Sequence, residues 1–128
     1  MPRVAPQPIP ANAPYWDGVA AGRLVLPRCR RCGAVSYYPR TVCQSCLSTD
    51  LEWTQMTGKG VVYSYTITRV APAGFEELAP YVVASVELDE GTRVMTNIVD
   101  CAPDDVRIGQ RVKAVYREGL PLFAPDNA

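Results

Sequence analysis

The chain has 128 residues, which is enough for one domain or two very small ones. Its thirteen Lys and Arg residues balance thirteen Asp and Glu residues, so no overall charge favours nucleic acid or a membrane surface. The absence of histidine excludes every His-dependent catalytic mechanism within this chain. No stretch approaches the roughly 18 apolar residues of a membrane span, and the N-terminus lacks the apolar core of a signal peptide. The composition therefore predicts a cytoplasmic protein.

The N-terminal part is predicted to be an extended tail followed by a short helix. Residues 1–14 are rich in proline and lack periodicity, which is typical of an extended arm. From Ala13 to Gly22, apolar residues that include Tyr15 and Trp16 fall near helical spacing, and Gly22 suits the position after a helix end. The helix would either cap the core or dock onto a partner, and capping is the commoner role of an aromatic pair at this spacing.

The next segment contains two Cys-x-x-Cys pairs, Cys29/Cys32 and Cys43/Cys46, separated by ten residues. In each pair a tight turn aims two thiolates at one point, and two facing pairs form a tetrahedral metal site. Leu24–Leu26 and Leu51–Thr54 are predicted to be the flanking strands of a ribbon, and Gly33 follows the first pair, where a positive φ is common. The pattern predicts a closed structural site that holds zinc or, less commonly, rubredoxin-type iron.

Arginine is concentrated around these cysteines, with no acidic residue between Arg23 and Cys46. Four thiolates and Zn²⁺ carry a formal charge of −2, so part of this positive charge balances the metal site. The remainder could meet phosphate groups, since guanidinium forms planar bidentate contacts with phosphate. Charge compensation and phosphate binding both remain open at this point. The arginines are Arg23, Arg28, Arg30, Arg31 and Arg40.

From Gly58 onward the pattern has a period of two, which predicts a small β-barrel. Asp89–Gly91 is predicted to be a hairpin turn with positive φ at Gly91, residues 71–80 a loop, and residues 102–109 a helical turn or loop. Five strands in about 70 residues suit an OB-fold. The remaining cysteine, Cys101, is predicted to be a small buried filler. The predicted strands are Gly60–Arg69, Tyr81–Leu88, Thr92–Val99, Arg111–Arg117 and Leu120–Ala124.

The order of several short segments resembles the DUF35 family. The family combines an N-terminal helix, a rubredoxin-like zinc ribbon and a C-terminal OB-fold linked to acyl-CoA metabolism. The resemblance implies a mainly β chain divided into residues 1–22, 23–56 and 57–128. Three features depart from the family pattern: Gln44 where proline is frequent, Arg69 where histidine is frequent, and Ala124 where arginine is frequent. The matching segments are PYWDGVAAGRL from Pro14, PRCRRCG from Pro27, YPRTVCQSC from Tyr38, GKGVVYSYT from Gly58, PYVVA from Pro80, Ile108-Gly109 and LPLFAP from Leu120.

The resemblance implies a non-catalytic accessory subunit of a thiolase-superfamily enzyme, such as a thiolase, a retro-aldolase of steroid side-chain breakdown or an acyltransferase. The partner in the hetero-oligomer would hold the catalytic residues, and this chain would support assembly and share the binding of a CoA thioester. On this interpretation Arg28, Arg30, Arg31 and Arg40 are candidates for the CoA phosphates. Residues Tyr15, Trp16 and Tyr38 are candidates for the partner interface.

Two other functions are compatible with the predicted fold. OB-folds and zinc ribbons bind single-stranded nucleic acid, and Tyr63 and Tyr65, two apart on one strand, could form a stacking platform. The neutral charge argues against this class, because nucleic-acid-binding domains are usually basic. A rubredoxin-like electron carrier is the third hypothesis, and it requires iron at the four cysteines.

Overall fold

The computed structural model describes residues 12–37, 39–70, 73, 79–117 and 119–126. Tyr38 and most of the predicted loop at 71–80 lie outside these residues. The described helix and strands follow the predicted order. Two strands of the barrel have the predicted bounds at both ends, and no bound of the other elements differs from the prediction by more than three residues. No described helix is long and apolar enough to cross a membrane. The elements are α1 Ala13–Ala20, β1 Val25–Cys29, β2 Leu51–Gln55, β3 Lys59–Thr68, β4 Tyr81–Leu88, β5 Arg93–Ile98, β6 Arg111–Arg117 and β7 Leu120–Pro125.

Strands β3 to β7 form a closed barrel in the order β3-β4-β5-β7-β6. All neighbours are antiparallel except β5 and β7, which meet in parallel at Ile98 and Phe123. Gly91, at φ 94°, closes the predicted hairpin between β4 and β5. Along β4, buried and partly exposed residues alternate, so one face of the strand fills the barrel. The barrel confirms the predicted five-stranded OB-fold architecture.

The segment before the barrel is a two-stranded antiparallel ribbon of β1 and β2. Its register pairs Arg28 with Glu52 and Cys29 with Leu51. An isolated antiparallel bridge between Val35 and Arg28 joins the segment after the first cysteine pair to strand β1. Helix α1 ends as predicted, since Gly22 adopts φ 76°, a conformation that costs glycine little. The mainly β fold with one short helix agrees with the sequence-based expectation.

The helix, the ribbon and the barrel contribute to one hydrophobic core. Tyr15 and Val19 come from the helix, and Leu24, Leu26 and Met56 come from the ribbon and its exit. At that exit the Met56 N–H donates to the Leu24 carbonyl at 2.7 Å. Because these side chains pack with those of the barrel, the ribbon has a fixed position on the barrel surface. The barrel side of the core consists of Val62, Val82, Ala84, Val86, Leu88, Val94, Ile98, Val106, Val112 and Phe123.

Strand β3 contains a β-bulge at Tyr63, where the pairing with β4 shifts between Val62 and Ser64. The extra residue changes which face the later side chains occupy. Tyr63 is 47% exposed and stacks beneath the Arg93 guanidinium at 3.7 Å, whereas Tyr65 packs against the core. The expectation of a platform formed by both tyrosines is therefore wrong, because a period of two does not hold across a bulge.

Candidate metal centre and adjoining cleft

The four cysteines Cys29, Cys32, Cys43 and Cys46 form one cluster, in which all sulfur atoms lie within 4.8 Å of one another. Cys29 Sγ is 3.6 Å from Cys46 Sγ, and Cys32 Sγ is 3.5 Å from Cys43 Sγ. A tetrahedron with metal–sulfur bonds of 2.3 Å has sulfur–sulfur edges of about 3.8 Å. The cluster therefore matches the size of a four-thiolate metal site. Cys29 and Cys43 are buried and Cys32 is exposed, so one side of the cluster faces the protein interior and the other side faces solvent.

Each cysteine pair lies on a tight turn closed by backbone hydrogen bonds. In the first turn the Gly33 N–H donates to the Cys29 carbonyl at 2.8 Å, and in the second the Leu47 N–H donates to the Cys43 carbonyl at 2.9 Å. Both of these donor residues have positive φ, 81° at Gly33 and 64° at Leu47. The sequence predicted the glycine, but it gave no signal that a leucine would adopt the same conformation in the second turn.

Backbone amides favour the thiolate, which is the form that binds metal, at Cys29 and Cys43. The N–H of Cys32 lowers the pKa of Cys29 to about 6, although desolvation opposes this effect. Amides of Cys46 and Ser45 lower the pKa of Cys43. For Cys32 the Ala34 amide acts in the same direction, but hydrogen bonds with neighbouring thiols and desolvation raise its pKa to about 12. A metal ion replaces these protons and allows all four sulfurs to be thiolates.

The arginines near the cluster fall into two groups. Arg30 forms ion pairs with Asp50 at 3.2 Å and Glu52 at 3.3 Å, two acidic residues at the start of strand β2. Although these residues are distant in sequence, the antiparallel ribbon brings them beside β1. Arg28, Arg31 and Arg40 are exposed and have no ion pair among the described residues. Three of the four arginines predicted to meet phosphate are therefore available on the described surface.

An apolar cleft of about 420 Å³ lies where the helix, the residues after the first cysteine pair and strands β5 and β7 meet. Trp16 lines it and contacts Tyr15 edge to face, with ring centroids 4.8 Å apart. Tyr15 is only 5% exposed, so it serves mainly as a core residue. Tyr37, which the sequence analysis did not single out, donates from its hydroxyl to the Met95 carbonyl at 3.3 Å. The lining residues are Asn12, Tyr15, Trp16, Tyr37, Pro39, Met95, Thr96, Asn97, Leu120, Pro121 and Leu122, none of which carries a charge at neutral pH.

Cys101 stands apart from the metal cluster. It is partly buried against the hydrophobic core. Desolvation raises the pKa of its thiol, and the charges of Asp105 and Asp100 act in the same direction. A thiol with a raised pKa is a poor nucleophile, which agrees with the prediction of a packing role.

Comparison with protein-family models assigns both parts of this fold. Residues 16–52 match the ChsH2 rubredoxin-like zinc ribbon domain, and residues 53–117 match the ChsH2 C-terminal OB-fold domain. A DUF35 domain-containing scaffold protein of Methanocaldococcus jannaschii is 47% identical over 95 residues, or 73% of this chain and 67% of that protein. The chain belongs to the DUF35 family.

Other relatives are named as subunits of enzymes that act on CoA esters. A probable enoyl-CoA hydratase alpha subunit of Thermomonospora curvata is 40% identical over 89% of this chain, which spans only 37% of that protein. The benzoylsuccinyl-CoA thiolase subunit BbsA of Thauera aromatica is 25% identical over 96% of this chain and 82% of that protein. A solved structure described as the Ltp2-ChsH2(DUF35) aldolase has a chain with 38% identity and a TM-score of 0.80, matched over 94% of this chain and 98% of that one.

Proposed function

We propose that this chain is a non-catalytic, zinc-containing accessory subunit of an acyl-CoA-processing complex whose catalytic subunit belongs to the thiolase superfamily. The observation that carries the proposal is the match to one chain of the Ltp2-ChsH2(DUF35) aldolase over 94% of this sequence. The similarity to a thiolase subunit supports the same class of partner. The lack of histidine also fits a chain that leaves acid–base chemistry to its partner.

Zinc is the metal that best fits the cluster. Four cysteine sulfurs within 4.8 Å suit tetrahedral thiolate coordination, which is the usual arrangement of structural zinc. Such a site has no open position for substrate or water, so bound zinc would stabilise the two turns and take no part in chemistry. Elemental analysis distinguishes zinc from iron, and iron with visible absorbance would instead favour an electron carrier.

The exposed arginines support a contribution to CoA binding. CoA carries phosphate groups, and Arg28, Arg31 and Arg40 offer guanidinium groups that form no ion pair among the described residues. Arg30 is less suited to this role because Asp50 and Glu52 already accept its hydrogen bonds. In the assembled complex, Arg31→Ala and Arg40→Ala should raise the KM for an acyl-CoA, whereas Arg30→Ala should change it less. If all three variants had the KM of the wild-type complex, the proposed contact with CoA would be contradicted.

Trp16 is the best-supported residue for the partner interface. It is partly exposed at the rim of the apolar cleft, whereas its neighbour Tyr15 is buried in the core. Partly buried aromatic residues beside apolar clefts are frequent anchors of protein interfaces. Tyr38 remains a candidate from the sequence only.

The proposed function is tested by purifying the tagged chain from its native host and identifying the proteins that accompany it by mass spectrometry. We expect a thiolase-superfamily protein in stoichiometric amount, and thiolysis or retro-aldol cleavage of an acyl-CoA by the complex but not by this chain alone. A chain that remains monomeric beside its host's thiolase-superfamily proteins, or that converts an acyl-CoA unaided, would contradict the proposal.

A further inference from the structure

The second cysteine turn contains a leucine in a backbone conformation that leucine rarely adopts. Leu47 has φ 64°, and every other described residue with positive φ is glycine or aspartate. In this region the Cβ atom of an L-residue crowds the backbone, and glycine or asparagine is the usual occupant. The first turn follows this rule, since Gly33 occupies the equivalent position and makes the equivalent hydrogen bond.

Contacts of the Leu47 side chain within the described structure contribute little stability to offset this backbone strain. It is 76% exposed, so it adds almost nothing to the hydrophobic core. The hydrogen bond that closes the turn uses the backbone N–H of residue 47, which any residue except proline supplies. A strained and exposed side chain of this kind indicates a role outside the folding of the chain.

The two cysteine turns also differ in the chemistry that they present to solvent. The first is strongly basic, with Arg28, Arg30 and Arg31 around its cysteines. From Val42 to Thr49 the second contains no ionisable side chain except its metal-binding cysteines. Val42, at 38% exposure, is a second exposed aliphatic residue in the same loop. A hydrogen bond from the Cys43 N–H to the Ser48 carbonyl, at 2.8 Å, closes this loop.

An uncharged loop with exposed aliphatic side chains suits the buried centre of a protein interface. Charged residues are depleted at such centres because their desolvation is unfavourable, and an aliphatic side chain can serve as the central anchor when it fills a pocket of the partner. The bound metal would hold the loop rigid, so little conformational entropy would be lost when it docks. Phosphate or nucleic acid would favour the basic turn and not this one.

We propose that Leu47, supported by Val42, is an apolar anchor that inserts into a hydrophobic pocket on the thiolase-superfamily subunit. This inference rests on the proposed function and identifies which end of the ribbon meets the catalytic subunit. It assigns the second cysteine turn to the protein partner and leaves the basic first turn for anionic groups. The strain at Leu47 is retained because the side chain is needed in the complex.

The test compares stability with affinity in three variants of the zinc-loaded chain. Leu47→Gly and Leu47→Asn relieve the backbone strain and remove the apolar side chain. Ile108→Ala is the matched control, because Ile108 is another aliphatic residue with 70% exposure and lies in the turn before β6, outside the ribbon. Thermal unfolding reports stability, and titration calorimetry with the purified thiolase-superfamily subunit reports affinity.

We expect both Leu47 variants to unfold at the wild-type temperature or above it and to bind the partner subunit about tenfold more weakly or worse. Ile108→Ala should bind as the wild type does. Leu47 variants that bind normally, or that lose affinity together with several degrees of thermal stability, would overturn the inference. Wild-type binding to phosphatidylcholine vesicles that is lost in Leu47→Gly, with unchanged partner affinity, would assign the loop to a membrane surface. If the wild-type chain binds no such subunit, the proposed function itself fails.

Discussion

The five cysteines of this chain lie in two different chemical environments. Four converge on one point, and backbone N–H groups donate to two of their sulfur atoms, from Cys32 to Cys29 Sγ and from Ser45 to Cys43 Sγ, each at 3.4 Å. The fifth, Cys101, lies against the core beside two acidic residues that disfavour its thiolate. The geometry for metal binding and the packing role therefore belong to different cysteines, and substitution of one member of each class tests the two roles separately.

We expect Cys43→Ser to abolish metal binding, because a hydroxyl replaces a buried thiolate ligand and leaves three sulfurs. Structural zinc sites contribute about 10–16 kcal/mol of binding free energy in isolated fingers, so loss of the site should strongly destabilise the ribbon. The measurement is zinc content by elemental analysis together with circular dichroism. Cys101→Ser is the control, and it should retain about one zinc ion per chain. Full zinc content in Cys43→Ser would show that the cluster is not the site.

A second residue-scale prediction concerns the ion pair between Asp100 and Arg117, which is joined by two hydrogen bonds of 2.7 and 2.6 Å. The Arg117 guanidinium lowers the pKa of Asp100. Since the folded pKa lies below the unfolded value of about 3.9, the pair stabilises the protein above that pH and loses its effect as the pH falls through the folded pKa.

Asp100→Asn should therefore lower the Tm slightly at neutral pH, and the difference from wild type should vanish in strong acid. The effect is small because both side chains are 46% exposed. Asparagine tolerates the positive φ of 64° at this position, so the substitution changes the charge and leaves the backbone unstrained. Asp17→Asn on helix α1 serves as the control. A Tm difference that is unchanged at about pH 2 would contradict the assignment.

At the scale of elements, helix α1 shows how two adjacent aromatic residues acquire different roles. Its eight residues place Tyr15 and Val19 one turn apart on the buried face. Trp16 lies one step further around the helix and reaches the rim of the cleft with Tyr37 and Met95. The helical period thus separates a packing residue from a candidate interface residue, although the two rings touch.

Tyr15→Ala should destabilise the chain by about 3–5 kcal/mol, the range for truncation of a buried aromatic side chain. Trp16→Ala should cost about 1 kcal/mol or less, because the side chain is only partly buried. The loss of affinity for the partner subunit, measured on folded protein, should follow the opposite order, and Trp16→Ala should bind more weakly than Tyr15→Ala. Denaturant unfolding and calorimetry measure the two quantities. A larger loss of stability in Trp16→Ala than in Tyr15→Ala would contradict the assignment.

At the scale of the whole molecule, the ribbon and the barrel are joined by packing and by polar contacts. Leu24, Leu26 and Met56 belong to the same core cluster as the barrel residues. The Thr57 N–H, at the junction, donates to Glu90 Oε2 on the β4–β5 hairpin at 2.8 Å. The shared core indicates that the ribbon and the barrel unfold together. The division of the chain into three parts, after residues 22 and 56, stays a prediction.

Removal of the metal with a strong chelator should therefore lower the Tm of the entire chain by more than about 10 °C, in a single transition. The loss should extend to amides of β3 and β5 in hydrogen exchange, because the barrel would lose its packing against Leu24 and Leu26. Restoring zinc should restore the exchange protection. Barrel amides that keep full protection while the ribbon unfolds would show that the shared core does not couple the two parts.

The sequence by itself determined the features that depend on local spacing. Two Cys-x-x-Cys pairs identify the cluster because each pair is one turn, and alternation with a period of two identifies the strands because successive side chains point to opposite faces. The positive φ at Gly33 and Gly91 follows from the freedom of glycine in tight turns. In the barrel, β4 and β6 have the predicted ends and the ends of the other strands shifted by no more than one residue, since pairing at a strand end depends on the neighbouring strand.

Only the tertiary structure decided the features that depend on residues distant in sequence. The pairing of β1 with β2 gives Arg30 two acidic partners that lie 20 and 22 residues away, which local charge counting could not reveal. The bulge at Tyr63 turns Tyr65 inward, and the meeting of helix, ribbon and barrel creates the cleft at Trp16. The strained leucine in the second cysteine turn also appeared only in three dimensions, because hydrogen bonds across the turn, and not residue preference, fix its backbone.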